Sequence, residues 1–537
     1  MPPLLSVVVP FHDVQPYLED CLASLAAQTL DDLEVVMVDD GSLDGSALIA
    51  QRFAAADGRF GLLRAARRGG PGLARNLGIA AAGGRYLAFA DADDVVPRNA
   101  YALLVRSLER SGSDLACGAV NRLDADGLTP SPLHARLFRR PEAGTHIRRN
   151  PQLIRDRTVW NKVYRRAFWD AHDLAFPAGL YEDLPVAVAA HVYAARVDLL
   201  RKVVYHWRVR ETGATSITQR RGEAANAAER IASLERVRAF LGGLVPMLRP
   251  AFDHMAASWD LGIVAGAVET AEEDERDRLL DVTGAFIDRL DEEAVAALPA
   301  IRRLELHLLR ARMLPELARV RQVRQHGPPQ TPIVRRGRET PRWFAAYPYF
   351  GDRARRLPDH LYDVTAELEL RARVESATLD GGRVRLSGHA CIRLAESLPA
   401  TLRLHLVDQD SGRRVPLVAV RIRGAEEPET GFTVTVDPAA LTGPGPWTLH
   451  AELRAGDGLV RSGRVRGGRL VAEERDGELT VIPASRRKRR AKRSGQVMGR
   501  STGKAADKGP GKESVRTASQ GGQAPVALRP ASSCWHS

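Results

Sequence analysis

Arg85-Tyr-Leu-Ala-Phe-Ala-Asp91-Ala92-Asp93-Asp94 is the stretch on which the fold turns. Tyr86 to Ala90 is a short apolar run, the pattern of a strand covered on both faces. It stops in three carboxylates. In open α/β sheets, ligands bind at the carboxyl ends of the strands, so acids placed there face a site. Crowded carboxylates repel one another, and a divalent cation relieves that repulsion. Hard oxygen donors suit Mg2+ or Mn2+, which keep coordination positions for phosphate oxygens. The expectation is a cation-assisted enzyme acting on a phosphorylated donor. An isolated Asp-x-Asp-Asp has a second explanation: Asp93 or Asp94 could cap a helix beginning near Pro97.

The flanking sequence has the rhythm of a doubly wound α/β domain. Leu4 to Val9 reads as a strand that leaves through Pro10-Phe-His-Asp13. Tyr17, Leu18, Cys21, Leu22 and Leu25 recur at helical spacing. Leu33 to Val38 is the next strand and ends at Asp39-Asp40-Gly41-Ser42. A helix near Ser46–Ala56, a strand at Phe60–Leu63 and a helix over Gly72–Ala81 follow. Strands alternating with helices predict a mostly parallel twisted sheet with helices on both faces.

Later segments differ in character. Residues 150–220 are less regular. Residues 221–325 carry amphipathic helical spacing and read as a helical connector. Residues 326–360 read as a linker. Residues 361–483 show short alternating runs, such as Phe432-Thr-Val-Thr-Val, separated by turn clusters, which predicts an antiparallel β-sandwich accessory domain. The 537-residue chain has a formal charge of +12, but residues 486–537 hold thirteen Lys/Arg against two Asp/Glu. Residues 1–485 keep 65 basic and 64 acidic side chains, so basicity belongs to the tail. Residues 484–537 are expected to be disordered and able to meet an anionic polymer or membrane surface; a merely solubilising tail is the alternative. No specific nucleic-acid site is expected. Four scattered cysteines, with neither zinc spacing nor a disulfide framework, fit a reducing cytoplasm. No apolar run reaches the roughly 18 residues of a membrane span.

Four segments fall at predicted strand ends or in the loops beyond them: Val9–Asp13, Val38–Ser42, Gly70–Asn76 and Asp91–Asp94. In a parallel sheet these meet along one edge. An acid beside a loop accepts hydrogen bonds from a base or ribose, and Arg75 pairs with phosphate. The set suits a nucleoside diphosphate. Together with Tyr181-Glu182-Asp183, these motifs resemble the family 2 glycosyltransferases of GT-A fold over about residues 4–220. The resemblance implies inverting transfer from a nucleotide-sugar donor. By motif position it gives Asp40 to the nucleobase, Arg75 to the nucleotide, and Asp91 and Asp93 to metal and donor. Pro10 and His12 would line the base pocket, although the family often has Tyr-Asn where this chain has His12-Asp13.

Inversion requires a base for the acceptor hydroxyl. The resemblance assigns it to Asp183 with Glu182 in support; a cap for the helix near Leu184 is the alternative. Trp160-Asn161-Lys162 resembles a family segment upstream of the base, which would meet the acceptor; a place in the core is the alternative for Trp160. Tyr205–Arg210 and Ser216-Ile-Thr are expected to form a loop over the donor, with Arg208 or Arg210 neutralising the leaving diphosphate. The whole architecture is also similar to bacterial enzymes that glycosylate wall teichoic acids and related polyol-phosphate polymers. That implies a hydroxyl-bearing glycopolymer or lipid-linked acceptor at the cytoplasmic face of the cell envelope. Two other readings stay open: a catalytically silent GT-A scaffold that binds an anionic polymer or membrane, and a nucleotidyltransferase, which would release pyrophosphate.

Overall fold

The computed structural model describes residues 2–213, 215–326, 331–380, 383–396, 398–422, 431–437, 439, 441, 446–456, 458–475 and 478–483. The polybasic tail lies outside the described residues, as does the Gly327-Pro-Pro-Gln part of the expected linker. The chain separates into two compact units, Met1–Arg321 and Gln322–Ser537.

The first unit opens with β1 (Leu5–Phe11), α1 (Gln15–Ala26), β2 (Leu33–Asp39), α2 (Ser46–Ala56), β3 (Phe60–Arg64), α3 (Pro71–Ala81), β4 (Tyr86–Phe89) and α4 (Ala100–Ser111). Strands β3, β2, β1 and β4 lie side by side and parallel. All seven residues of β1 and all four of β4 are buried, as apolar runs without alternation require of strands covered on both faces. The carboxyl ends of β1, β2 and β4 therefore share one edge. Beyond them come β5 (Leu115–Asp124), β6 (Gly127–Pro130), β7 (Glu142–Thr145), β8 (Lys162–Arg165), α5 (Arg166–Ala171), α6 (Asp183–Tyr193) and β9 (Val197–Arg208). Strand β8 runs antiparallel between β4 and β5, and β9 parallel to β5, which extends the sheet past the acids. The Tyr205–Arg208 segment, expected in a loop, is the end of the twelve-residue β9, paired with β5 through Arg208.

Helix α3 packs closely because Gly78 has no side chain: a Cβ there would lie 2.4 Å from Val8 Cγ1. The helical part follows: α7 (Ala224–Leu244), α8 (Arg249–Met255), a π-helical turn Ala256–Asp260, α9 (Leu261–Thr270), α10 (Glu273–Ile287), α11 (Glu292–Ala296), α12 (Ala300–Arg310) and α13 (Leu314–Gln325).

The second unit begins with the hairpin β10 (Ile333–Arg336) and β11 (Arg342–Ala345). Its body is built from β12 (Leu370–Asp380), β13 (Arg383–Ile392), β14 (Ala400–Asp408), β15 (Arg414–Leu417), β16 (Ala419–Ile422), β17 (Gly431–Val436), β18 (Pro446–Ala455), β19 (Leu459–Arg475) and β20 (Glu478–Pro483). One antiparallel layer runs β12-β13-β17-β16, and the other β15-β14-β18-β19 with β20 on β19; a parallel bridge, Arg373 opposite Arg466, joins β12 to β19. Leu386, Phe432, Leu406, Trp447 and Leu449 are buried from both layers, the alternation expected of a sandwich.

Candidate active site

The edge where β1, β2 and β4 end gathers the acids. Asp40 follows β2 and is buried; its two carboxylate oxygens accept the N–H groups of Gly69 and Gly70 at 2.8 and 2.7 Å. Gly70 has φ +82°, a left-handed conformation that glycine adopts freely, and it starts α3. Asp40 thus sets where α3 begins, and α3 carries Arg75. Gly72, one turn before Arg75, abuts the loop before α6: a Cβ would lie 2.6 Å from the Pro177 carbonyl oxygen.

Arg75 is the junction of the site. Its guanidinium is buried and pairs with Asp91 Oδ1 at 2.6 Å and with Glu182 Oε1. It also lies 5.2 Å from the Phe176 ring centroid. The acid turn after β4 and the Glu182-Asp183 motif, 107 residues apart from Arg75 to Glu182, are thereby brought to one cation. Burial works against the charge of Arg75, but the carboxylates Asp91, Glu182 and Asp183 outweigh it and raise its pKa.

The acid turn is held from several sides. The Asp91 N–H donates to Tyr205 Oη at 2.9 Å, and Tyr205 stacks on Trp160 with centroids 4.2 Å apart. Asp93 Oδ2 pairs with Arg210 Nε at 2.6 Å. Asp94 is buried; its Oδ1 accepts the Arg208 N–H at 2.7 Å, while its Oδ2 is buried without a partner. Burial, then repulsion from Asp93 and Asp91, pushes the Asp94 carboxyl well up. Burial also raises Asp91, against the pull of Arg75. Neither Asp93 nor Asp94 caps a helix: α4 begins at Ala100 with Asn99 at its N-cap.

Asp183 opens α6, yet neither it nor Glu182 makes a capping hydrogen bond there. Its side chain is half-buried. Burial and the neighbouring Glu182 push its pKa up to about 7, with Arg75 and Arg157 pulling the other way. A carboxylate poised there suits proton abstraction near neutrality. The preceding Tyr181 has φ +59°, an uncommon conformation for a bulky residue. Helix α7 holds it: Ser233 Oγ donates to the Tyr181 carbonyl at 2.8 Å, Tyr181 Oη donates to Asn226 Oδ1, and Arg230 lies 4.0 Å from the ring centroid. Asp260, in the π-helical turn, joins Arg230 (2.7 Å) to Arg157 (2.9 Å). Tyr181 stands in the Tyr181-Glu182-Asp183 motif, but no motif announces Arg157, Arg230 or Asp260, because they meet it only through tertiary packing.

The remaining sequence candidates fall as follows. Pro10 is buried within β1. His12 Nε2 lies 3.1 Å from Asp13, and its Nδ1 is buried without a partner. Arg208 places its guanidinium 3.0 Å from Asp20 and over Tyr17, and only its backbone N–H joins the acid turn. Trp160 is buried beneath that turn. Asn161 and Lys162 are fully buried: Lys162 Nζ lies 2.8 Å from Asp156, and the Asn161 side-chain amide donates to the Gly118 carbonyl and to Asp156. These two side chains reach no open surface here.

The tightest cluster of potential metal ligands among the described residues is Cys117, Asp156 and His191, buried, with donor atoms within 4.8 Å of one another. Lys162 already supplies the positive charge there, and with His191 it holds the Asp156 carboxyl far below the ordinary range despite burial. We read this cluster as an internal ion pair. The Asp91–Asp94 turn fits a hard cation better, with three carboxylates and the partnerless Asp94 Oδ2.

Residues 6–172 match the family model "Glycosyl transferase family 2". The "Uncharacterized glycosyltransferase EpsJ" of Bacillus subtilis (strain 168) is 34% identical over 222 residues, covering 40% of this chain and 64% of that protein. The poly(ribitol-phosphate) beta-glucosyltransferase of Bacillus spizizenii is 24% identical over 220 residues, covering 39% of this chain and 33% of that protein. The match to EpsJ spans just under two thirds of that relative's length, and the match to the glucosyltransferase about one third. The crystal structure of S. aureus TarS shares the fold across 89% of this chain and 85% of its own, with TM-score 0.60 and 17% identity. No helix among the described residues is long and apolar enough to cross a membrane. The parallel strands and the acids at their ends agree with what the family model matches: residues 6–172 resemble the glycosyl transferase family 2 domain.

Proposed function

We propose that the N-terminal domain transfers a sugar from a nucleoside-diphosphate donor to an acceptor hydroxyl, with inversion at the anomeric carbon. The observation that carries this reading is the Arg75 junction: one buried guanidinium pairs with Asp91 and Glu182, and the Asp183 carboxylate stands beside it, within reach of the charges of Arg75 and Arg157. Asp183 takes the acceptor proton as the hydroxyl oxygen attacks the anomeric carbon. The bond from that carbon to the diphosphate oxygen breaks on the opposite face, and its electron pair leaves with the nucleoside diphosphate. Arg75 and Arg210 place positive charge beside the acid turn where the leaving group gathers negative charge. Asp40 and the Pro10–Asp13 segment border the nucleobase. Mn2+ or Mg2+ held by Asp91 and Asp93 supplies charge neutralisation for the diphosphate when bound.

The acceptor we propose is a polyol-phosphate glycopolymer of the cell envelope. The Bacillus spizizenii relative, whose name specifies poly(ribitol-phosphate), supports that class. The β-sandwich serves as an accessory domain for this acceptor. The test is a panel of nucleotide sugars with Mn2+, followed by thermal stabilisation and release of nucleoside diphosphate. Stabilisation and Mn2+-dependent release by at least one member are expected. Stabilisation with no turnover in the presence of polymer would favour a silent scaffold, and pyrophosphate release a nucleotidyltransferase.

A further inference from the structure

The second unit carries a charged sheet face that the chemistry of the first does not use. Along β14, Leu404 and Leu406 are buried, while Arg403 and His405 between them face outward; along β18, Leu449, Ala451 and Leu453 are buried, while His450 and Glu452 face outward. Strand register then aligns a cross-strand rung: Pro416 opposite His405, His405 opposite His450, and His450 opposite Arg464. The two imidazoles stack with centroids 5.5 Å apart. The adjacent rung runs from Arg414 opposite Val407, through Thr448, to Arg469. Arg414, Arg464 and Arg469 are exposed. The carboxylate among the described residues of this face is Glu452, and it is shared by Arg454 at 2.8 Å and Arg403 at 4.0 Å.

Like charges set opposite one another across strands destabilise a sheet. Here two histidines sit face to face, between arginines on both flanking strands. Their basicity is lowered by burial first; Arg414 then lowers His405 against the pull of Glu452, and His405, Arg464 and Arg414 lower His450. The fixed positive charge of this face is therefore that of Arg414, Arg464 and Arg469, which flank the two imidazoles. The basic groups span four strands, about 14 Å at the usual strand spacing. That footprint suits a linear anion with charges repeated along its length, contacted at more than one phosphate.

We propose that this face of the β15-β14-β18-β19 layer binds the phosphodiester backbone of a linear polyol-phosphate polymer, with His405, His450, Arg414 and Arg464 at its centre. The proposal rests on the polymer-acceptor reading for the source of the ligand. Because binding is measured without donor or turnover, the two fail separately.

The experiment uses the full chain, tail included, in every arm. Imidazole resonances of His405 and His450 are titrated by NMR with and without free poly(ribitol phosphate). Bound phosphate should raise both histidine pKa values by about half a unit or more. Arg414→Glu with Arg464→Glu should abolish that shift and weaken polymer binding at least fivefold. Arg414→Lys with Arg464→Lys should retain most of it, and Arg385→Glu on the other layer should leave it unchanged. A polymer that binds the chain without moving either histidine would overturn the proposal, as would a shift indifferent to charge reversal. So would a shift produced by phosphatidylglycerol vesicles and not by the polymer, which would make the face a membrane contact. Sugar transfer to a short hydroxyl acceptor, measured in parallel, reports on the catalytic reading alone.

Discussion

Asp183 titrates where a base is useful, and this has two consequences of opposite sign. Activity through Asp183 requires the carboxylate, so kcat/KM should rise through about pH 7 and level off above it. Replacing Asp183 with Asn should lower kcat about a thousandfold while leaving donor affinity nearly intact; turnover near the native rate would remove Asp183 from the role of base. Stability moves the other way. An ordinary Asp ionises near 3.9 in the unfolded chain, so the raised folded value means the unfolded state binds fewer protons between about pH 4 and 7. Stability from this group is therefore lost as pH climbs through that window. Discounted for partial exposure, Asp183→Asn should be about 1–2 kcal/mol more stable than the native chain at pH 8 and no more stable at pH 4, measured by urea unfolding. Arg75 is the converse case. Arg75→Met strips two carboxylates of their shared cation and should cost about 3 kcal/mol.

At the scale of elements, the helices beyond residue 221 do more than connect. Helix α7 holds Tyr181 in its left-handed conformation, and the π-helical turn supplies Asp260 to Arg230 and Arg157. π-helical turns recur at functional sites. Asp260→Asn should lower kcat about tenfold and leave the far-ultraviolet circular dichroism unchanged, although Asp260 touches no proposed substrate position. A native kcat in that variant would show the α7 buttress to be dispensable. Gly72→Ala should force α3 from the Pro177 loop, costing about 1–3 kcal/mol and weakening nucleotide binding in calorimetry. The contrast also explains what the sequence could reveal. The ends of β1, β2 and β4 were legible because short apolar runs stopping in acids encode a buried parallel strand and its edge locally. Arg157 and Asp260 lie 103 residues apart, and nothing local links them. Lys162 was illegible for another reason: lysine is almost never fully buried, so its pairing with Asp156 contradicts its usual place. The Tyr205–Arg208 segment read as a loop because its charges obscured the end of β9, which is anchored by pairing to β5.

Across the whole molecule, the two units should answer to different ligands. A ligand that binds only the folded form stabilises by mass action, by about 2.7 kcal/mol at a hundred times its Kd. Nucleotide sugar with Mn2+ should raise the calorimetric unfolding transition of Met1–Arg321 and leave that of Gln322–Ser537 in place. Chelation should reverse the shift. An equal rise in both transitions would mean that donor binding is not confined to the first unit.

Arg75 has one more implication. Before any acceptor arrives, the Arg75 guanidinium is shared between Asp91 and Glu182, and burial beside Glu182 keeps the Asp183 pKa raised to about 7. A protonated carboxyl is a poor activator of stray water. On the proposed mechanism, release of nucleoside diphosphate without acceptor should therefore be slow at low pH and rise through about pH 7 together with transfer.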